Sequence, residues 1–357
     1  MSKQKIKNKI LVPAVTRAGC ALLSDIRRLI ESARKRVATY ANTELTMLYW
    51  RVGLRIHQEI LKEKRAEYGA EIVPTLSAQL APEYGEGFGK RNLFRMIKFA
   101  GSFTDEKIVS TLSTQLSWSH FVEIIPMEDS LKRDFYAEMC RIESWNVRTL
   151  RKKIGGMLFE RTALSKKPDK LIRMELDKLR EVDKLTPDLV FRDPYFLDFL
   201  GLKGVFQEKD LETAILRDME SFILELGVGF SFMARQKRII VGGDDFYLDL
   251  LFYHRDLRRL VAIELKMEKF KPAFKGQMEL YLKWLDKYDR KLGEEHPIGL
   301  ILCAGKSDEQ IELLELSKSG IRVAQYMTEL MPKVILQKKF HEAIKLARLR
   351  LENKVDK

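Results

Sequence analysis

Two acids, Asp249 and Glu264, occur inside two short apolar segments of this chain, and Lys266 directly follows the second segment. The segments, Tyr247–Tyr253 and Leu260–Leu265, are joined by the charged link HRDLRR, a pattern that predicts a strand–turn–strand hairpin. Side chains two positions apart on a strand share a face, so Glu264 and Lys266 project together and the hairpin can bring Asp249 beside them. Because charges among apolar neighbours cost free energy unless they pair or hold a metal, this cluster is the predicted active site.

Two carboxylates on adjacent strands form a hard-oxygen site suited to Mg²⁺ or Mn²⁺. Asp249 and Glu264 would supply the charge, and the backbone carbonyl of Leu265 is a candidate third ligand. Lys266 is placed to orient or deprotonate a bound water and to stabilise charge on a phosphate, which predicts phosphodiester hydrolysis. On this pattern alone, a structural ion network that holds the hairpin together is an equal alternative.

Flanking helices favour the metal site over the ion network. Gln277 and Tyr281 are four residues apart on the helix that follows the second strand, so they share one face. Glu212 and Glu220 lie on the predicted helix that leads into the sheet, and either could reach the metal or its water.

This order of motifs resembles the PD-(D/E)xK nuclease superfamily, in the branch with an added QxxxY helix motif: an acidic helix, Asp249, E264-L265-K266, then Q277-M278-E279-L280-Y281. The stretch GVGFSFMARQKRIIVGGDDFYLDLLFYHRDLRRLVAIELKMEKFKPAFKGQMELYLKWLD is similar to the YhcG-type bacterial proteins of that superfamily. The segment TPDLVFRDPYFLDFLGL resembles their inter-domain region. Four further segments resemble their N-terminal domain, a winged-helix-like DNA-binding region: NTELTMLYWRVGLRIHQE, GKRNLFRMIKFA, LSWSHFVEI and SWNVRTLRKKI. The likeness covers about residues 20–345.

The resemblance implies a metal-dependent nuclease fold and assigns roles to residues. Asp249 and Glu264 match the metal-binding acids, and Lys266 matches the catalytic lysine. Gln277 and Tyr281 match the QxxxY pair, which would contact the substrate or tune the lysine.

One position of the motif stays open, and another departs from the family pattern. Glu212 is favoured over Glu220 as the third metal-binding acid, although both fit the loose alignment of the preceding helix. Leu248 replaces the proline that precedes the first aspartate of the motif. That proline is often replaced in the superfamily, so catalysis remains expected.

We predict an α+β protein of two domains. An all-helical DNA-binding domain would span residues 15–165 and a connector residues 166–200. An α/β restriction-endonuclease-like domain with a central mixed sheet would span 201–345, followed by a basic tail over 346–357. Predicted elements of the C-terminal part are helices over Lys209–Glu225, Gly276–Tyr288, Glu309–Leu316 and 333–350, with strands over Phe230–Val241, Ile298–Ala304 and Ile321–Tyr326 besides the hairpin.

The segment EGFGKRNLFRMIKFAGSF predicts a glycine turn followed by a helix with a basic N-terminal turn, the layout of a helix-turn-helix unit. Its candidate DNA contacts are Lys90, Arg91, Asn92 and Arg95. Arg235 and Lys237, on the strand before the hairpin, could guide the phosphate backbone toward the active site. An ordinary surface helix and a solvated basic edge are the respective alternatives.

Two tryptophans and a histidine in the N-terminal half could also suggest function, but packing explains them better. Trp118 and Trp145 each precede a predicted helix and are expected to be packing anchors rather than base-stacking platforms. Ser117 and Ser144 are expected to be caps or turn residues. His120 is expected to be structural, since the five histidines show no metal-ligand spacing.

The 357-residue chain has a net charge of +13, and the excess lies in its first half. Residues 1–170 hold 31 Lys and Arg against 19 Asp and Glu, which suggests a polyanionic partner, with DNA ahead of a membrane surface. No apolar run is long enough to span a membrane, and the N-terminus is a poor signal peptide. The three scattered cysteines fit a reducing, cytoplasmic setting.

The leading interpretation is a Mg²⁺- or Mn²⁺-dependent DNA nuclease without a small-molecule cofactor. A non-catalytic DNA-binding or assembly protein on a nuclease-like fold is the first alternative, and an RNA-directed nuclease is the second. The oligomeric state, the cleavage specificity and the biological pathway stay open, although nucleases of this fold often cut two strands as homodimers.

Overall fold

The computed structural model describes residues 17–63, 66–162, 164–202, 204 and 206–355. The basic N-terminal stretch, the predicted domain start at residue 15 and the last two residues of the predicted tail lie outside these ranges. The chain packs as two compact units, Met1–Pro126 and Met127–Lys357. This division falls earlier in the chain than the domain boundary predicted at residue 165.

The described part of the first unit is helical. Its helices are α1 Arg17–Glu63, α2 Ala66–Tyr84, α3 Lys90–Ser102, α4 Glu106–Ser113 and α5 Trp118–Ile124. The apolar spacing of the sequence predicts two helices, Ala21–Tyr40 and Thr43–Glu63, where the structure has the single helix α1. No glycine or proline interrupts it near residue 42, and the Thr43 hydroxyl donates to the Thr39 carbonyl at 3.0 Å, so the helix continues.

Close packing of α1 on α3 organises this first unit. A Cβ atom at Gly53 of α1 would lie 1.9 Å from the Met96 carbonyl oxygen of α3, so only glycine allows the two backbones to approach this closely. The Trp118 ring packs against Tyr49 and Phe99, with ring centroids 5.0 and 5.5 Å apart. This confirms the prediction that Trp118 is a packing anchor.

Both serines are cap residues, as predicted. Ser117 and His120 form the capping box of α5, which gives His120 a structural role. Ser144 is the left-handed C-cap residue of the next helix, at φ 52°, and the side chain of Asn146 caps the helix after it. Trp145 is buried, as predicted.

The second unit begins with helices that precede the sheet. They are α6 Ser130–Glu143, α7 Val147–Gly155, α8 Leu158–Arg161, α9 Asp169–Val182 and α10 Pro187–Val190. The two prolines of the connector, Pro187 and Pro194, predict an extended piece between them, and this prediction is wrong at its start. Pro187 occupies the first turn of α10, where a missing N–H costs nothing.

A six-stranded mixed sheet forms the centre of the second unit. Its strands are β1 Tyr195–Phe196, β2 Phe230–Val241, β3 Asp244–His254, β4 Arg259–Lys269, β5 Ile298–Gly305 and β6 Ile321–Met327. The order across the sheet is β1-β6-β5-β4-β3-β2, with β2, β3 and β4 antiparallel and β4, β5, β6 and β1 parallel. The predicted mixed sheet is therefore confirmed.

Two tight connections set the register around the cluster. Gly242 and Gly243 join β2 to β3 with φ values of 61° and 94°, a left-handed turn that favours glycine. Between β3 and β4, Leu250 pairs with Ile263, which puts Asp249 opposite Glu264.

The predicted helix Lys209–Glu225 is two helices, α11 Glu208–Arg217 and α12 Met219–Leu226. Asp218 separates them: its backbone leaves the helical region, and its side chain accepts from the Ser221 backbone N–H to cap α12. Glu212 and Glu220 consequently lie on different helices.

The remaining helices follow the sheet. They are α13 Ala273–Tyr288, α14 Asp308–Leu313 and α15 Lys333–Val355. Met278, Tyr281 and Leu285 of α13 pack into the main core of the sheet. Helix α15 continues through most of the segment that the sequence assigns to a tail. Among the described helices, none has the length and apolar character needed to cross a membrane.

Candidate active site

The predicted approach of Asp249 to Glu264 is confirmed. The Asp249 backbone N–H donates to Glu264 Oε1 at 3.3 Å, and Asp249 Oδ2 accepts from the Leu265 backbone N–H at 2.9 Å. Both carboxylates are buried in the two central strands of the hairpin. Each one therefore contacts the backbone of the strand that carries the other, which holds the pair in a fixed relation.

Lys266 lies between two acids. Its Nζ is 2.9 Å from Glu264 Oε2 and 3.5 Å from Glu208 Oε1. The ammonium also lies 5.7 Å from the centre of the Phe274 ring of α13. Glu208 was not predicted from the sequence, although it lies one helical turn before Glu212 on α11 and so shares its face.

Burial and the neighbouring charges both shift the pKa values of this cluster. Burial, with the neighbouring Asp249 charge, raises the pKa of Glu264 to about 7. Burial opposes the charge of Lys266, but the Glu264 carboxylate outweighs it, so the pKa of Lys266 is raised. Two carboxylates are thus held together at an electrostatic cost that one ammonium only partly offsets.

This donor set suits a divalent metal ion with few protein ligands. The described residues hold no group of three or more His, Cys, Asp and Glu side chains in a metal-ligand arrangement. Mg²⁺ commonly uses one or two carboxylates and keeps several waters, so the hard-oxygen pair Asp249 and Glu264 fits it. A dication would also relieve the repulsion that raises the pKa of Glu264.

Gln236 joins the third acid to the pair, and sequence reasoning missed it. Its Nε2 donates to Asp249 Oδ1 at 3.0 Å and to Glu212 Oε2 at 3.1 Å. Its backbone is left-handed, with φ 43°, in the middle of β2, where such a conformation is strained for a residue with a side chain. No sequence signal distinguishes this glutamine from the other polar residues of β2, because the signal is conformational.

The two candidate helix acids differ in position. Glu212 of α11 reaches the site through Gln236. Glu220 is exposed in the first turn of α12 and makes no hydrogen bond or ion pair within the described ranges. The geometry favours Glu212.

Gln277 and Tyr281 contact one another as their spacing predicts. Gln277 Nε2 donates to the Tyr281 hydroxyl at 2.8 Å, and that hydroxyl donates to the Tyr247 carbonyl at 3.2 Å. Tyr247 lies on β3 two residues before Asp249. The pair therefore ties α13 to the strand that carries the first acid.

The two basic residues of β2 that were predicted to contact DNA differ in whether their charge is already paired. Lys237 is engaged: its Nζ is 3.0 Å from Asp289 Oδ2 and 5.8 Å from the centre of the Trp284 ring. Arg235 is exposed and makes no ion pair with the residues that the structure describes. The geometry leaves Arg235 more available to a nucleic acid than Lys237.

The four residues predicted to contact DNA in the first unit also differ in exposure and in their contacts. Lys90 and Arg91 are exposed at the start of α3, and Arg95 is half-buried one turn later. Asn92 has a structural place instead: its Nδ2 donates to the Gly87 carbonyl at 2.6 Å, and its Oδ1 accepts from Trp118 Nε1 at 3.0 Å. Its predicted DNA contact stays a prediction that this geometry disfavours.

Comparisons with known proteins cover both parts of the chain. Residues 25–161 match the family model of the DUF1016 N-terminal domain, and residues 188–342 match that of the YhcG PDDEXK nuclease domain. A relative in Escherichia coli (strain K12), YhcG, whose name assigns it provisionally as a nuclease, is 34% identical over 322 residues. The match covers 82% of this chain and 85% of that protein.

Solved structures give weaker matches. A repair endonuclease from Pyrococcus abyssi is 23% identical over 36% of this chain, with a TM-score of 0.25. A complex of EndoMS with double-stranded DNA is 18% identical over 36% of this chain, with a TM-score of 0.27. The chain spans about half the length of these two proteins, and at such TM-scores the likeness carries no argument.

Proposed function

Because the chain belongs to the YhcG family, in which a DUF1016 N-terminal domain precedes a PDDEXK nuclease domain, we propose that it is a metal-dependent DNA nuclease. The observation that carries the proposal is the arrangement of Asp249, Glu264 and Lys266. Two buried carboxylates lie side by side, and a charged lysine is held at 2.9 Å from one of them.

Asp249 and Glu264 would hold the metal, with Glu212 as the third acid. A bound Mg²⁺ or Mn²⁺ supplies a nucleophile by acidifying a water and neutralises charge on the phosphate. Gln236 acts as a positioning residue, because its amide donates to Asp249 and Glu212 together and keeps those carboxylates near each other.

Lys266 serves as a hydrogen-bond donor to the substrate in this proposal. Its raised pKa keeps Nζ protonated at neutral pH, so it stabilises the negative charge that develops on the phosphate. Glu208 and Glu264 hold the ammonium from two sides, which limits its rotation.

DNA is the proposed substrate, and the first unit is proposed to bind it. The charge of +13 and the exposed Lys90 and Arg91 of α3 support contacts with phosphates. Exposed Arg235 beside Gln236 supports a path for the backbone toward the acids.

Cleavage assays test this function directly. Plasmid and single-stranded DNA are incubated with the full chain and Mg²⁺ or Mn²⁺, beside labelled RNA of matched sequence. We expect DNA cutting that falls about 100-fold or more in Asp249→Asn and in Lys266→Met. The matched control Glu220→Gln should cut at the wild-type rate. Unchanged cutting by both site variants would remove this site from the reaction, and preferential cutting of RNA would overturn the substrate.

A further inference from the structure

A cavity of about 530 Å³ in the second unit is lined by twelve residues, and six of them carry a side-chain hydrogen-bond donor. Helix α7, helix α12 and the segment from Arg192 to Phe199 form its walls. None of the acids of the candidate active site lines it, so the cavity is a separate feature of the molecule.

Glu225, the less exposed of the two acids in the lining, is already engaged. Its carboxylate accepts from the Arg161 guanidinium, from the Phe196 backbone N–H at 2.9 Å and from Arg192 Nη1 at 3.3 Å. Arg161 and Arg192 are 3% and 5% exposed. One carboxylate therefore faces two buried guanidinium groups, so Glu225 can balance the charge of only one of them.

Several donors around the cavity have no acceptor. Arg192 Nε is buried and has no hydrogen-bond partner among the described residues. The Thr149 and Ser221 hydroxyls and the Lys152 ammonium also make no hydrogen bond or ion pair with that part of the chain. Asp198, the other acid of the lining, is exposed. A ligand that accepts hydrogen bonds would satisfy this set.

Among these groups, Lys153 has the most strongly shifted pKa. Its Nζ lies 3.5 Å from the Leu224 carbonyl, and burial, with the neighbouring Arg192 charge, lowers the pKa of Lys153 to about 7. The Glu143 carboxylate, outside the lining, partly opposes this lowering of the Lys153 pKa and accepts from the Trp145 indole N–H at 2.7 Å. An anion beside Lys153 would favour its charged form.

We propose that this cavity binds the phosphate group of a phosphomonoester, from either the end of a nucleic-acid strand or a free mononucleotide. Phosphate oxygens accept from lysine, arginine and hydroxyl donors together, which is the set that Lys152, Lys153 and Arg192 supply with the two hydroxyls. The volume suits a nucleotide-sized ligand, and Phe199 offers an apolar surface to a base or sugar.

Chemical labelling of Lys153 tests the proposal in the full-length protein without metal. Lys153 should be acetylated by an amine-reactive ester at pH 7.5 before exposed Lys178, because its lowered pKa leaves more of its amine in the neutral, reactive form. A 5′-phosphorylated oligonucleotide or adenosine monophosphate should slow labelling of Lys153 about fivefold or more and leave Lys178 unchanged. Peptide mass spectrometry measures both sites in one digest.

The source of the phosphate is read from the same experiment. Protection at lower concentration by the 5′-phosphorylated oligonucleotide than by the mononucleotide assigns the cavity to strand ends, and the reverse assigns it to free nucleotides. Equal protection by a 5′-hydroxyl oligonucleotide, or none by any phosphate at matched ionic strength, would overturn the proposal.

A variant series gives the second measurement. Lys152→Gln should weaken binding of the better phosphate probe in isothermal titration calorimetry about fivefold or more, whereas the control Lys178→Gln should leave it unchanged. Lys152 is exposed and unpaired among the described residues, so its loss leaves the buried Arg161–Glu225–Arg192 network intact. Wild-type affinity in Lys152→Gln, together with unprotected labelling of Lys153, would reduce the cavity to a structural ion network.

Discussion

The fold and the proposed chemistry place opposite demands on the Glu264 side chain. Burial favours its neutral form, whereas a metal ligand must be ionised. The Lys266 ammonium at 2.9 Å and the Asp249 backbone N–H at 3.3 Å offset part of the cost, yet the pKa still rises to about 7. The site therefore changes its charge near neutral pH.

Metal affinity should depend on pH because of Glu264. Below pH 7 the metal must displace its proton, so the affinity for Mn²⁺ should fall by up to about tenfold per pH unit as the pH drops from 7 to 6. Isothermal titration calorimetry in buffers of different ionisation enthalpy measures the affinity and the released protons. Glu264→Gln should abolish the release, and a flat affinity between pH 6 and 8 would contradict this assignment.

The same raised pKa affects the stability of the metal-free protein with a definite sign. The unfolded chain releases the Glu264 proton near pH 4.5 and the folded chain near pH 7. The contribution of Glu264 to the free energy of unfolding therefore decreases as the pH rises between these values.

Gln236 should show a trade-off between stability and activity. In Gln236→Gly the left-handed backbone at φ 43° becomes relaxed, so thermal unfolding should show an unchanged or higher stability, by up to about 1 kcal/mol. Gln236→Ala keeps the strain. Both variants lose the amide that joins Asp249 to Glu212, so both should cut DNA at least about tenfold more slowly. A Gly variant with wild-type cutting would show that Gln236 does not position the acids.

Among the helices and strands, α13 supports the site from outside it. Its residue Tyr281 is buried, accepts from Gln277 and donates to the Tyr247 carbonyl of β3. Tyr281 thus holds the strand that carries Asp249, without contacting any of the three acids through a hydrogen bond within the described chain.

Loss of the Tyr281 hydroxyl should disturb the strand position rather than the ligands. Tyr281→Phe leaves the buried Tyr247 carbonyl without its partner, which should lower the free energy of unfolding by about 1–2 kcal/mol. Cutting should slow, while Mn²⁺ affinity stays within about twofold. Tyr288→Phe, at the exposed end of the same helix, is the matched control. A large loss of metal affinity in Tyr281→Phe would place the hydroxyl in the metal site instead.

For the molecule as a whole, we expect the two compact units to have separate roles in the proposed function, one in binding DNA and the other in cutting it. The exposed charges of α3 lie in the first unit and the carboxylates in the second. Substitutions in α3 should therefore change the affinity for DNA, and substitutions of the acids should change the rate of the chemical step.

This division can be measured in the intact chain. The double variant Lys90→Gln, Arg91→Gln should raise KM for DNA with little change in kcat. The plot of the logarithm of the DNA-binding constant against the logarithm of the salt concentration should become shallower, its slope changing by about 2. Asn92→Ala should mainly destabilise the first unit, because it removes the partners of Gly87 and Trp118. Unchanged affinity and salt slope in the double variant would exclude α3 as the DNA-binding helix.

Local patterns in the chain were sufficient for the hairpin and for the placement of its charged residues. Short apolar runs around Asp249 and Glu264 indicate the strands, and a two-residue side-chain period indicates that Glu264 and Lys266 share a face. The four-residue spacing of Gln277 and Tyr281 likewise determines their contact on α13. These features depend on neighbours in the chain, so the sequence determines them.

Contacts between residues far apart in sequence came only from the packed structure. The break at Asp218 separates Glu212 from Glu220, and a left-handed backbone at Gln236 brings its amide to Asp249 and Glu212. The cavity at Lys153 likewise needs three segments to converge. Strand register, backbone strain and burial depend on the whole fold, because each is set by atoms that local periodicity does not specify.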